Sequence, residues 1–151
     1  MQKSKEIIEI LNDLVEIHHD RIAGYERAVK ELKNEDMDLK SRFDAMILES
    51  QHMISELANE IQVLRGTVEP GTTTQGKIYR AWAGLKAVFS GDSRHTILSN
   101  CEQAEDATQK AYSQALDSDL LPAFLRQMLI NQQQTLKDSH DEIHDLRDQY
   151  A

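Results

Sequence analysis

The segment ESQH, residues 49 to 52, carries a carboxylate and an imidazole three residues apart within a long helical pattern. In helical bundles that hold two metal ions, one Glu from each of two helices and a Glu-x-x-His pair from each of the other two project inward. Glu49 and His52 can belong to such a centre only if both side chains face the axis of a bundle. Their helical spacing tests this, since successive residues lie about 100° apart around a helix.

The apolar stripe of this helix defines its inward direction and consists of Phe43, Ile47, Ser50, Ile54, Leu57, Ile61 and Leu64. Glu49 lies roughly 100° from Ser50, at the flank of the stripe. His52 lies roughly 160° from Ser50 and points to solvent. The spacing therefore predicts that the pair is not half of a metal site.

Other carboxylates and histidines give no better metal-ligand pattern. On the last helix, Lys137 occupies the Glu position relative to His140, and His144 of the pair Asp141-x-x-His144 lies about 140° from the core direction. Glu105 is a flank position that could bend inward. We expect no bound cofactor; the alternative is iron or manganese, for which the candidate ligands are Glu49, Glu105, His140 and His18.

Several neutral polar residues occupy core-facing positions. His18 lies on the apolar stripe of the first helix, and equivalent stripe positions at a similar height hold Ser50, Thr108, Gln132 and Thr135. Buried polar groups need hydrogen-bond partners, so these five residues predict a polar layer that fixes the register of the helices. The alternative is a pocket at His18 for a small ligand or a single metal ion.

Four long segments with apolar residues at helical spacing organise the chain. They cover about residues 4–33, 38–65, 93–117 and 120–149, with a shorter helix expected at about 77–89 after the loop GTVEPGTTTQG. Two short turns predict antiparallel neighbours, and the long link between the second and third long helices is sufficient to run back along the bundle. The prediction is one all-α domain, residues 1–151, built as a four-helix bundle with one long crossover.

Four motifs extend this interpretation: GTVEPGTTTQGKIYRAWAGLK, NDLVEIHHDRIAGY, AEDATQKAY and HDEIHDLRD. Together they resemble an uncharacterised bacterial four-helix-bundle family of the ferritin-like superfamily, over about residues 4–149. The sequence departs from that family at Tyr79, where a His often stands. The resemblance implies a ferritin-like fold, favours oligomers, and suggests that Arg80 pairs with Glu105 or Asp106.

Composition excludes several classes of function. The net charge is -9, without a cluster of Lys and Arg, so we expect no binding to nucleic acid or to anionic membranes. Cys101, the single cysteine, lies on an apolar stripe and is predicted to be a core residue. With no signal peptide and no long apolar run, the expected location is the cytoplasm.

No motif for nucleophilic, redox or phosphate chemistry is present. The sequence therefore predicts a non-enzymatic bundle that acts through its surface, as a homodimer or by binding a protein partner. Apolar residues beside the core stripes support this and include Ile10, Ile17, Met53 and Leu129. The alternative is an iron- or manganese-binding ferritin-like protein, with a possible role in stress suggested by other bundles of this kind.

Overall fold

The structure is a computed structural model that describes residues 2–68 and 94–149. Its four long helices are α1 (Gln2–Glu31), α2 (Asp38–Val63), α3 (Arg94–Leu116) and α4 (Ala123–Gln149). Their ends lie close to the predicted ones, and a short 3-10 helix, Asn34–Asp36, joins α1 to α2. The predicted short helix at 77–89, with Tyr79, Arg80 and Trp82, lies outside the described residues.

Side-chain contacts define the directions of α1 and α3. His18 contacts Tyr112, and Tyr25, two turns farther along α1, contacts Glu105, which lies two turns earlier in α3. Residue numbers therefore rise along one helix as they fall along the other, and α1 and α3 are antiparallel.

The same reasoning applies to α2 and α4. Glu49 accepts a hydrogen bond from Ser139, and Glu56 accepts one from Gln132. These pairs make α2 and α4 antiparallel, and the short turns make α1–α2 and α3–α4 antiparallel hairpins.

These directions require that α2 and α3, although consecutive, run parallel. The first residue of α3, Arg94, binds Asp38 at the beginning of α2, with Nη2–Oδ2 at 2.6 Å. The end of α2 and the beginning of α3 therefore lie at opposite ends of the bundle, about 40 Å apart, and the link between the two helices must cover that distance. The parallel directions of the consecutive helices α2 and α3 thus confirm the predicted layout with one long crossover.

The interior consists of two apolar clusters separated by polar groups. One cluster lies toward the beginning of α1 and includes Leu11, Leu14, Leu57, Ile61, Leu125 and Leu129. The other lies toward the end of α1 and includes Tyr25, Phe43, Leu98, Cys101 and Ile143. Cys101 is fully buried, as predicted, and burial raises the pKa of its thiol. The two clusters keep water from the polar groups between them.

The end of α2 is anchored to α1. Gly66 N–H donates to Ile61 O and Arg65 N–H donates to Gln62 O, both at 2.9 Å, the hydrogen-bond pattern of a Schellman motif. Arg65 takes the left-handed conformation at φ 63° that the motif requires. A Cβ on Gly66 would lie 2.8 Å from Ile8 Cδ1. Glycine therefore allows the backbone that follows α2 to pack closely against α1.

The outer helix faces are rich in ion pairs. Examples are Lys40–Asp44 at 2.7 Å and Lys137–Asp141 at 2.9 Å. Within residues 2–68 and 94–149, no helix is both long and apolar enough to cross a membrane.

Candidate functional site

The centre of the bundle is occupied by the guanidinium of Arg21, which α1 buries completely. Its Nε and Nη2 donate to the two carboxylate oxygens of Glu105 at 2.7 and 3.3 Å. Nη2 also lies 3.0 Å from Glu49 Oε1. Nη1 donates to Ser50 Oγ at 2.9 Å and to Met46 O at 3.3 Å. Arg21 thus binds two carboxylates and links α1 to both α2 and α3.

Glu105 is a core residue, so its predicted flank position is wrong. Its carboxylate also accepts a hydrogen bond from the Tyr25 hydroxyl at 3.2 Å, and its side chain is almost fully buried. The cause is a second buried stripe on α3, in which Leu98, Glu105 and Tyr112 are spaced by seven residues. The buried arc of α3 is therefore wider than the single stripe inferred from the sequence.

The groups around Arg21 keep its guanidinium positively charged. Burial alone lowers its pKa, but the charge and hydrogen bond of Glu105, together with Tyr25 and the charge of Glu49, outweigh burial, so the pKa lies above its usual range. The guanidinium also lies against the ring of Tyr25, 5.6 Å from its centroid. Arg21 is therefore a permanent cation in the middle of the bundle.

Glu49 lies at the edge of this centre, and its side chain is 22% exposed. It accepts a hydrogen bond from Ser139 Oγ at 3.0 Å in addition to its contact with Arg21. Burial raises the pKa of Glu49, although Arg21 and Ser139 act in the opposite direction. His52 is 76% exposed, in agreement with the helical spacing, so Glu49 and His52 do not converge on one ion.

His18 belongs to a chain of hydrogen bonds that reaches all four helices. Its Nδ1 lies 2.9 Å from Ser50 Oγ and its Nε2 lies 2.6 Å from the Tyr112 hydroxyl. The Tyr112 hydroxyl donates to Gln132 Oε1 at 2.7 Å, and Gln132 Nε2 donates to Glu56 Oε1 at 3.0 Å. The chain therefore begins and ends on α2 and passes through α1, α3 and α4.

The donors in this chain follow one direction. Arg21 donates to Ser50, so the Ser50 hydroxyl is left to donate to His18 Nδ1. Tyr112 donates to Gln132, so His18 Nε2 carries the hydrogen that Tyr112 accepts. Burial, followed by the charge of Arg21, lowers the pKa of His18 to about 3. His18 is therefore neutral, with its proton on Nε2.

Four of the five residues of the predicted polar layer are buried: His18, Ser50, Thr108 and Gln132. Thr135 is exposed, and its hydroxyl donates to Asn131 O of the same helix at 3.2 Å. Its predicted burial is wrong because the neighbouring Leu136 takes the inward position on α4.

Sequence reasoning missed Arg21 and Tyr112, two residues that connect the central polar groups of different helices. A signal existed for Arg21, since it stands three residues after His18 and four before Tyr25 on the buried stripe of α1. A lone arginine on an apolar stripe needs a buried carboxylate, and Glu105 is that partner.

The central residues do not fit a pair of metal ions. Glu49 and Glu105 provide two carboxylates, but α1 places the Arg21 guanidinium between them. At this level α4 contributes the amide of Gln132 and the hydroxyl of Ser139 instead of a carboxylate and histidine pair. A fixed cation that already binds both carboxylates repels any further cation.

The remaining metal candidate, His140, makes its contacts outside this centre. It lies on the outer seam between α3 and α4, where its Nε2 is 2.7 Å from Asp106 Oδ1. The structure therefore does not bring His140 together with Glu49, Glu105 and His18.

The pairing of Arg21 with Glu105 predicts a strong coupling of their substitutions. Arg21→Met leaves the Glu105 charge buried without its partner and is expected to lower the free energy of unfolding by about 3–5 kcal/mol. The double substitution Arg21→Met and Glu105→Met removes both charges and is expected to recover most of that loss. Urea unfolding followed by circular dichroism measures both. If the two single losses simply add in the double variant, the coupling is absent.

His18 predicts a specific dependence of stability on pH. Its pKa is about 3 in the folded protein against a usual value of 6.5, so the unfolded chain takes up a proton that the folded protein does not. Stability is therefore retained above pH 6.5 and falls as the pH drops from there toward 3.

The loss attributable to His18 between pH 7 and pH 4 is about 3 kcal/mol. We expect His18→Gln to lose less stability than the native chain over this range, since glutamine does not titrate. His52→Gln, at an exposed position, is the control and should show the native dependence. Urea midpoints across this pH range provide the measurement, and identical slopes for all three proteins would refute the assignment.

Known proteins place this fold and sequence in context. The chain is similar to a solved structure described as ferritin like, diiron-carboxylate proteins from Bacillus anthracis str. Ames, with a TM-score of 0.69 and 19% identity. The match covers 97% of this chain and 96% of that chain, and it confirms the ferritin-like fold. No curated protein matches the sequence. The family model of the domain of unknown function DUF2383 matches residues 6–118, and the chain belongs to that family.

Proposed function

We propose that this protein is a non-enzymatic helical bundle that acts by associating with a second copy of itself. The proposal that the protein is not an enzyme rests on the buried Arg21 guanidinium. It lies between Glu49 and Glu105, where a bundle of this fold would need room for metal ions. We also propose the cytoplasm as its location, since its single cysteine, Cys101, is a free thiol and forms no disulfide within the chain.

The central carboxylates are already engaged in holding helices together. Glu105 binds Arg21 through both oxygens, and Glu49 binds Arg21 and Ser139. Release of either carboxylate to a metal ion removes one of the two counter-charges of a buried guanidinium and brings a second cation beside it, and both effects are unfavourable. This argues against the alternative of a central iron or manganese site, whose proposed ligands Glu49, Glu105, His18 and His140 are moreover divided between the centre and the outer seam.

The face formed by α2 and α4 supports self-association. A groove of about 450 Å³ runs between these helices, and its apolar lining includes Leu48, Met53 and Met128. Leu48 is 65% exposed at one end of the face. Large exposed apolar side chains beside a groove are typical of protein interfaces.

The other end of the same face is also apolar. Val63 follows groove-lining Glu56 by seven residues, and Phe124 precedes groove-lining Met128 by four, so helical spacing continues both walls. Val63 is 71% exposed and Phe124 is 62% exposed. In a pair whose two-fold axis is perpendicular to the helices, the same face is used by both copies in opposite directions, and Leu48 of one copy then meets the Val63 and Phe124 end of the other.

Substitution on this face tests self-association. We expect the native protein to sediment as a dimer at micromolar concentration, and the Leu48→Asp and Phe124→Asp variant to sediment as a monomer with unchanged helix content. Ile130→Asp is the matched control, an exposed apolar position on α4 outside the groove lining, and should remain dimeric. A native chain that is monomeric at every concentration contradicts the proposal.

Oxidation of ferrous iron tests the proposal that the protein is not an enzyme. In air, the native protein is expected to oxidise ferrous iron no faster than buffer, because Arg21 blocks a central metal pair. Glu49→Gln and Glu105→Gln should give the same rate as the native chain. Rapid oxidation that either substitution abolishes would show that these carboxylates bind metal. Oxygen consumption and the absorbance of ferric products provide the readouts.

A further inference from the structure

The outer seam between α3 and α4 holds a cluster of histidines and carboxylates that takes no part in the centre. Glu102 and Asp106 lie one turn apart on α3, opposite His144 and His140 on α4. His140 Nε2 lies 2.7 Å from Asp106 Oδ1, and His144 Nδ1 lies 2.8 Å from Glu102 Oε1. The imidazole rings are nearly parallel, with centroids 6.4 Å apart. We call these four residues the outer cluster.

Each imidazole of the outer cluster meets a second carboxylate with its other nitrogen. His140 Nδ1 lies 3.1 Å from Asp141 Oδ1, and His144 Nε2 lies 3.1 Å from Asp148 Oδ2. A neutral imidazole carries a single N–H group. One nitrogen of each neutral ring therefore presents a lone pair to a carboxylate oxygen, a repulsion that either a second proton on the ring or a metal ion between the two groups removes.

His144 shows this most clearly. Its Nδ1 lies 3.1 Å from the Arg147 Nη2 donor and 2.8 Å from the Glu102 Oε1 acceptor. A protonated Nδ1 cannot accept from Arg147, and an unprotonated Nδ1 cannot donate to Glu102. No protonation state of His144 satisfies both contacts.

The charge around the two rings is negative. Four carboxylates surround them: Glu102, Asp106, Asp141 and Asp148. The neighbouring cations are Arg147, which binds Glu102 and Asp148, and Lys137, which binds Asp141. With neutral histidines, two negative charges remain in excess, which matches the charge of one divalent cation.

We propose that the outer cluster binds one divalent transition-metal ion of the zinc class, with His140 Nε2, Asp106 and Glu102 as ligands and His144 Nδ1 as the fourth. The ligand atoms of Glu102, Asp106 and His140 lie within 4.8 Å of one another. Tetrahedral zinc needs neighbouring ligand atoms about 3.3 Å apart, so binding would draw these atoms closer together than 4.8 Å.

The groups behind the ligands are placed to orient them. Asp141 accepts from His140 Nδ1, which leaves Nε2 unprotonated toward the ion, and Arg147 holds Glu102 Oε2 at 3.0 Å while Oε1 stays available. Imidazole ligands favour zinc and related ions over Mg²⁺ and Ca²⁺, which prefer oxygen ligands. This inference is independent of the proposed self-association, since the outer cluster lies on the α3–α4 seam.

Calorimetric titration of the metal-free full chain with Zn²⁺ tests the outer cluster. We expect about one ion per chain, and at least about a tenfold rise in Kd for His140→Gln and for Asp106→Asn. His52→Gln is the matched control, because its imidazole faces a single carboxylate, Glu56, at 3.8 Å. This variant should bind Zn²⁺ as the native chain does.

Cobalt provides a second readout that a purely structural role does not produce. Co²⁺ added to the native chain is expected to give the visible absorption bands of a tetrahedral site, and His140→Gln should lose them. Zn²⁺ should also raise the Tm of the native chain but not that of His140→Gln. Absence of Zn²⁺ binding, or binding that His140→Gln and Asp106→Asn leave unchanged, overturns the proposal whatever the oligomeric state.

Discussion

The contact on which the rest of the structure depends is the buried pairing of Arg21 with Glu105, supported by Glu49. Transfer of a guanidinium from water to a protein interior is costly, and the cost is offset only when opposite charges and hydrogen bonds satisfy it. Here Glu105 binds it through both oxygens and Glu49 adds a second negative charge. Because these residues belong to three helices, the compensation exists only when α1, α2 and α3 are in register.

The fourth helix is joined to this arrangement by Ser139, which donates to Glu49, and by a chain of neutral groups. Ser50 accepts from Arg21 and passes a hydrogen bond to His18, and the chain continues through Tyr112 to Gln132 on α4. A shift of any one helix by a turn leaves at least one of these buried groups without a partner, which is unfavourable in a region closed by apolar clusters. The polar layer therefore specifies the register that the apolar contacts by themselves allow to vary.

Acidic residues and histidines occur both in the centre of this bundle and on its outer seam, and the two places differ in which groups balance the negative charge. In the centre, Arg21 supplies the positive charge, and His18 is a neutral relay of hydrogen bonds. On the outer seam, His140 and His144 face more carboxylates than Arg147 and Lys137 neutralise. A fixed cation thus closes the first setting to metal ions, whereas the second has the ligands and the charge to accept one.

The sequence by itself determined the four helices, their antiparallel hairpins, the long crossover, the buried Cys101 and the outward direction of His52, because each depends only on helical period and connection length. It did not determine the inward position of Glu105 or the exposure of Thr135. Glu105 is buried because the neighbouring helices cover a wider arc of α3 than its apolar stripe. Thr135 is exposed because packing places Leu136 at the inward position of α4 instead. The partnership of Arg21 with Glu105, and of His140 with Asp106, joins residues far apart in the chain. Only the tertiary structure decided these pairings. The helical period shows which face of a helix a residue occupies, but not which residue of another helix lies at the same level along the bundle.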